Sequence, residues 1–141
     1  MLKTEQIHIT LKPRSRGFHL ITEEIINQIP ELKEFSKGLV NIFVLHTSCS
    51  LSISENADPT VRADLETYFS ETVPENSNLY LHKYEGLDDM TSHIKNVMIG
   101  SSLNIPVSKG KLNLGTWQGI YLCEHRNQSH SRKLVITVIG E

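Results

Sequence analysis

The run Leu39-Val40-Asn41-Ile42-Phe43-Val44-Leu45-His46 limits the chain most. It is rich in β-branched residues and apolar almost throughout, broken only by Asn41. Such a run predicts a central strand buried on both faces, and so a sheet around it. Other segments supply the neighbours. Ile7, Ile9 and Leu11 alternate with polar residues and predict an opening strand. Pro13 to Gly17 is a basic turn, with Phe18 to Ile21 as the returning strand. Leu51 to Ser54 and Leu79 to Lys83 read as short strands. The last third is β throughout: Val107, a turn at Lys109-Gly110-Lys111, Gly119 to Glu124, and Lys133 to Ile139.

Helix signals interrupt this series in a few places. Thr22 is placed as an N-cap, with Glu23 and Glu24 in the first turn of a short helix that reaches Ile29 and stops at Pro30. Asp58-Pro59 is a stronger start, an N-cap aspartate with proline at the first helical position. Val61, Leu65, Tyr68, Phe69 and Thr72 then share one face, and Pro74 ends the helix. Asp88 or Asp89 caps a third helix to about Ile99, with Met90, Ile94, Val97 and Met98 on one face and Gly100 beyond its end. Strands in runs with a few inserted helices predict an α+β fold rather than alternating βαβ units.

The chain has 141 residues, 38% of them hydrophobic and 21% charged. That is the size of one domain spanning residues 1–141, able to bury roughly two-thirds of its unfolded surface. A net charge of -2 gives no bulk drive toward nucleic acid or an anionic membrane. No apolar run approaches a membrane span, and the amino terminus lacks a signal-peptide core. Two cysteines, Cys49 and Cys123, are too few for a disulfide scaffold. A cytoplasmic protein with reduced thiols is the expectation.

Three motifs stand apart in the chain: His46-Thr47-Ser48-Cys49 leading to Glu55-Asn56-Ala57-Asp58-Pro59; Tyr80-Leu81-His82 leading to Asp88-Asp89-Met90-Thr91-Ser92-His93; and Ser101 to Val107 followed by Leu114-Gly115-Thr116-Trp117-Gln118. In this order they resemble the YjbQ-like family, small proteins often labelled secondary thiamin-phosphate synthases. The resemblance covers nearly the whole chain. It implies a mixed, partly barrel-like β-sheet layer with two to three helices, assembled as a homotrimer. The label implies joining a pyrimidine pyrophosphate to a thiazole phosphate.

His46 and His82 each end a predicted strand, where function is usually mounted. His93 lies on the third helix, about 60° from Met90, at the border of the apolar arc. Together they offer three nitrogen ligands, the pattern of a divalent metal site of catalytic zinc type. The spacing alone is a weak metal signal, and the resemblance strengthens it because the three histidines fall on family motif positions. Glu55 and His46 are the candidate catalytic pair, with Glu55 as general base or fourth ligand. For both to serve one site, the chain must break between them, as the serines around Cys49 allow. The alternative for Glu55 is a charge favouring the start of the helix at Asp58.

Ser48, Thr116, Trp117 and Gln118 are the candidate substrate-binding residues, suited to a phosphorylated small molecule. Lys109, Lys111 and Arg126 could add anion contacts. Trp117 reads either as a core or interface aromatic or as a wall against a flat ring. His8, His19, His125 and His130 read as surface residues on edge strands or loops. Cys49 is read as incidental and Cys123 as core. The chain offers histidines rather than an acidic magnesium cluster, so thiamin-phosphate synthesis reads as a side activity. The expected function is a small-molecule enzyme with a histidine-rich metal and phosphate pocket. Its rivals are a metal-dependent hydrolase and a non-enzymatic trimeric metal- or ligand-binding module.

Overall fold

The computed structural model describes residues 1–76 and 78–141. Eight strands and three helices follow one another as β1 (Lys3–Thr10), β2 (Gly17–Leu20), α1 (Thr22–Asn27), β3 (Lys37–Val44), β4 (Cys49–Glu55), α2 (Pro59–Thr72), α3 (Leu87–Ile99), β5 (Ser102–Ser108), β6 (Lys111–Leu112), β7 (Gln118–Glu124) and β8 (Lys133–Gly140). A 3-10 turn at Pro30–Glu34 links α1 to β3. Five strands form one sheet in the order β1-β8-β3-β5-β6, and three form another in the order β2-β7-β4. Neighbouring strands pair antiparallel. β4 lies against β3 and β5 and carries the second sheet onto the first. The result is an α+β fold with three helices and a curled, half-barrel sheet.

The core lies between the two sheets. Val40, Ile42 and Val44 of β3 join Ile105 and Val107 of β5, Ile136 and Val138 of β8, and Leu51, Ile120 and Leu122 of the smaller sheet. Ile25 of α1 closes one side. β3 and β8 approach closely where Gly38 faces Gly140. A Cβ on Gly38 would fall 2.3 Å from the carbonyl oxygen of Ile139, so only glycine fits there.

Several local expectations change. β3 is central, but it is buried on one face only. Val40, Ile42 and Val44 point inward, whereas Leu39 is 45% exposed and Phe43 44%. Burial therefore alternates along the run, as on any half-covered sheet. Leu79 to Lys83 is not a strand but a series of turns and bends. Thr22 does not cap α1, since its hydroxyl instead accepts from the Ile120 amide at 2.9 Å and ties α1 to β7.

The largest inversion is in α3. Its expected apolar face is turned outward, with Val97 83% and Met98 54% exposed. The buried face carries Asp88, Asp89, Thr91, Ser92 and Lys95. Burying such groups costs free energy unless they are hydrogen-bonded or paired. Most are: Ser92 donates to the His125 carbonyl at 3.1 Å, Thr91 donates to the Asp88 carbonyl, and the two aspartates meet partners described next.

A histidine and aspartate cluster at one end of the smaller sheet

Asp88 and Asp89 occupy the first turn of α3, after the helix has been entered through Gly86. Neither is the expected N-cap; both are turned into the protein. The Asp88 carboxylate accepts from Arg126 Nε at 3.0 Å and from the Asn127 amide at 2.8 Å. Arg126 also donates to Asp89 Oδ1 and to the Glu85 carbonyl, so one guanidinium locks β7's end onto the start of α3. The free oxygen of Asp89, Oδ2, then faces two histidines. His82 Nε2 stands 2.7 Å from it and His93 Nε2 3.1 Å. His93 is one helical turn beyond Asp89, which puts both on the same face.

Each ring has a separate mount. His93 comes from the rigid helix, and its Nδ1 donates to the Thr47 carbonyl at 2.9 Å. His82 comes from the turns before α3, and its side chain is 46% exposed. The three ligand atoms lie within 4.8 Å of one another. Burial alone would raise the Asp89 pKa. The hydrogen bond from His82, the charge of His93 when that ring is protonated, and the charge of Arg126 outweigh it and hold the carboxyl below its ordinary range. Asp88 is also held low, because the Asn127 amide and Arg126 outweigh its burial.

A buried polar layer supports the cluster from below. Arg132 and Glu124 form an ion pair inside the protein, and Arg132 also reaches the Ser48 hydroxyl at 3.0 Å and its carbonyl at 3.2 Å. His125 is buried rather than at the surface, and its Nε2 meets Ser50 Oγ at 2.9 Å. Burial, and then the charges of Lys95, Arg16 and Arg132, push its pKa down to about 3. Cys49 is buried too, which pushes its thiol up to about 12 and leaves it protonated.

A family model described as UPF0047 protein YjbQ-like matches residues 6–141. The chain belongs to the YjbQ-like UPF0047 family. It is 53% identical to the UPF0047 protein YjbQ of Escherichia coli O157:H7 over 133 residues, covering 94% of this chain and 96% of that protein. It is 36% identical to the UPF0047 protein YugU of Bacillus subtilis over 130 residues, covering 88% and 89%. A crystal structure of a YjbQ/UPF0047 family protein from Clostridium acetobutylicum superposes with a TM-score of 0.81 at 32% identity, covering 94% of this chain and 98% of that one. A YjbQ-like structure from Sulfolobus solfataricus superposes over both whole chains with a TM-score of 0.87. Its 22% identity makes that a likeness of fold.

Within this YjbQ-like chain the candidate residues fall into two groups. His82 and His93 converge, and Ser48 is at their end of the smaller sheet. His46 lies next to Thr47, but its Nε2 accepts the Lys133 amide at 2.8 Å, so its ring turns toward β8. Burial and the Arg132 charge lower its pKa, in keeping with a neutral ring that accepts. Glu55 sits at the far end of β4, about 20 Å from Cys49 at the rise of an extended strand. Its carboxylate accepts the amides of Ala57 and Asp58 and caps the chain as it enters α2.

Thr116, Trp117 and Gln118 share the Glu55 end. Asn56 donates to the carbonyls of Thr116 and Gln118 at 3.1 Å each. Trp117 is 65% exposed, which excludes the core alternative. The residues missed from sequence are Asp89 and Arg126 as members of the cluster. Asp89 was legible in one respect: an aspartate four residues before a helical histidine shares its face. No helix lying wholly among the described residues is long and apolar enough to cross a membrane.

Proposed function

We propose that His82, Asp89 and His93 hold a divalent metal ion, zinc in the first instance, beside a pocket that takes a phosphorylated small molecule. The proton count at His93 supports this reading. A carbonyl oxygen only accepts, so Nδ1 carries its hydrogen toward Thr47. In the neutral ring, Nε2 is then a bare lone pair, 3.1 Å from an ionised carboxylate oxygen. Two such groups repel unless a cation lies between them. A proton or a metal ion supplies that charge. A ring nitrogen fixed by a carbonyl on its far side is the usual mount of a metal-ligating histidine. Asp89 is likewise held by Arg126 on one oxygen and presents the other.

Two nitrogens and one oxygen leave a fourth position open in tetrahedral coordination. Ligand atoms around such an ion stand roughly 3.3 Å apart at the usual bond lengths, and the three here lie within 4.8 Å of one another, so side-chain shifts alone bring them to that spacing. When bound, the ion supplies Lewis acidity toward a phosphoryl or carbonyl oxygen. Hydrolysis or transfer at a phosphoryl group is the reaction class this suits. Thiamin-phosphate synthesis fits as a weak side activity. The histidine set stabilises a leaving pyrophosphate less well than an acidic magnesium cluster does.

The proposal includes a homotrimer. Val97 and Met98 of α3, with Leu81 and Tyr84 in the turns beside His82, present apolar surface to solvent. The outer face of the larger sheet adds Leu39, Phe43 and Ile139. Apolar patches of this kind mark contact surfaces. Two different patches on one chain suit a heterologous, closed ring. In such a ring the Glu55 end of one copy can complete the histidine end of the next.

A second reading is a non-enzymatic module in which a proton fills the cluster. The 2.7 Å separation of His82 and Asp89, a hydrogen-bond distance, favours it. Zinc titration of metal-free protein separates the two. One ion per chain, with affinity falling at least about tenfold in His93→Ala, supports the metal site. No heat of binding in the unaltered protein supports the proton-filled module instead.

A further inference from the structure

A second concave site lies away from the histidine cluster and shares no residue with it. Ile26, Ile29 and Leu32, from α1 and the 3-10 turn, face Leu112 and Leu114 across a trough of about 500 Å³. That volume is within the range of small-molecule sites, roughly 300–1,000 Å³. Its two walls are pinned together through backbone. The Lys109 amide donates to the Ser36 carbonyl at 2.6 Å, and the Gly110 amide to the Phe35 carbonyl at 2.7 Å. Gly110 has φ +75°, and a Cβ there would stand 3.0 Å from Lys33 Cα. Main chain therefore fixes the two walls relative to one another.

Its charge is one-sided. Lys33, Lys109 and Lys111 are the charged residues that line it, and all three are cationic. Among the described residues, none of the three ammonium groups has a carboxylate within 4.0 Å, although the chain forms such pairs at Lys37, Arg14 and Arg16. An apolar floor beneath unpaired ammonium groups is complementary to one kind of molecule. We propose that the trough binds an amphiphilic anion free in solution: a medium-length aliphatic chain ending in a carboxylate or a phosphate monoester. The chain lies on Leu112, Leu114 and Ile26, and the head group meets the lysines. The Glu55 and histidine ends of the smaller sheet take no part.

Calorimetric titration with decanoate, octanoate and decanol tests this directly. Decanoate should bind at least tenfold more tightly than decanol. It should exceed octanoate by about fourfold per added methylene, the factor expected when each is buried. The triple variant Lys33→Gln, Lys109→Gln, Lys111→Gln changes only exposed side chains. It should erase the advantage of decanoate over decanol while leaving decanol binding and the melting temperature unchanged. Leu114→Asp should weaken both ligands at least tenfold, with the molecular mass by light scattering unchanged.

Equal affinity for decanoate and decanol would overturn the proposal, as would a triple variant that binds decanoate like the parent. Co-sedimentation with phosphatidylglycerol vesicles without binding of free decanoate would assign the lysines to a membrane surface. A smaller assembly in Leu114→Asp would assign the trough to contact with a second copy. Either result overturns the free-ligand site.

Discussion

The two ends of the β2-β7-β4 sheet carry chemistry-bearing residues held in different ways. At the histidine end, charged side chains bond mainly to one another: His82 and Arg126 to Asp89, Arg126 to Asp88, and Arg132 to Glu124, with His93 held on the Thr47 carbonyl. Several of these groups are buried, so each carries a desolvation cost that its partner must offset. At the other end, the Glu55 carboxylate takes backbone amides two and three residues ahead, and Gln118 takes the Gly115 amide three residues back. Those side chains are partly exposed and shape local turns. The difference teaches that residues close in motif space serve separate mechanical roles. One end is a pre-organised cluster; the other is a capped loop presenting Trp117.

Removing a member of the first end should have the largest effect. Asp89→Ala leaves Arg126 and two histidines without their shared anion. Loss of one partner of a buried charge pair costs about 3–5 kcal/mol. Chemical denaturation should show a fall of that size, with zinc binding abolished. A change under about 1 kcal/mol would put the aspartate in the same energetic class as Glu55 and erase the contrast.

Assembly comes next. Val97→Asp with Met98→Asp places charge on the outward face of α3. If the proposed trimer forms through this face, light scattering should show a threefold drop in mass with the chain still folded. An unchanged mass would move the subunit contact elsewhere.

The buried layer predicts a pH dependence specific to the histidine end. His125 has a folded pKa pushed down to about 3, against an ordinary value of 6.5. The unfolded chain therefore takes up a proton below about pH 6.5 that the folded chain refuses. Its contribution to stability is complete above that pH and is lost as pH falls toward the folded value, by up to about 1.4 kcal/mol per unit. Denaturation midpoints between pH 7 and 4 should decline in the parent and decline less in His125→Gln. Parallel curves would show that His125 does not carry the slope.

Glu55→Gln should have the smallest effect. A lost cap at the entry to α2 costs about 1 kcal/mol. Zinc content should persist, because this carboxylate is no part of the cluster in its own chain. Loss of zinc would join the two ends into one site. Retained zinc with a fall of about 10²–10⁴ in phosphoester turnover would show that a neighbouring copy supplies the base.

Much of the fold was legible from periodicity and turn chemistry. Asp58-Pro59 starts α2 as its residues require, with the Thr60 amide donating to the Asp58 carboxylate at 2.9 Å. Lys109-Gly110 makes the expected hairpin turn, and Gly100 closes α3 with φ +111°. The inverted faces of α3 and β3 share one physical cause. Apolar residues were assigned to the interior, but in α3 and on the outer face of β3 they face outward. The paired charges of Asp88, Asp89 and Arg126 are inside instead. Hydrophobic pattern alone cannot tell a core from a contact surface. It also gives no sign of an aspartate whose partner lies thirty-seven residues ahead. His46 was drawn toward the cluster by its strand-end position, but its ring accepts the Lys133 amide instead.

X-ray absorption at the zinc edge of the loaded protein decides whether His82, Asp89 and His93 hold the ion. The expected result is a shell of two imidazole nitrogens and low-atomic-number oxygen ligands at roughly 2.0–2.1 Å. The paired variant His82→Ala, His93→Ala should lose the bound zinc. A shell without imidazole, or zinc retained at full stoichiometry in that variant, would contradict it.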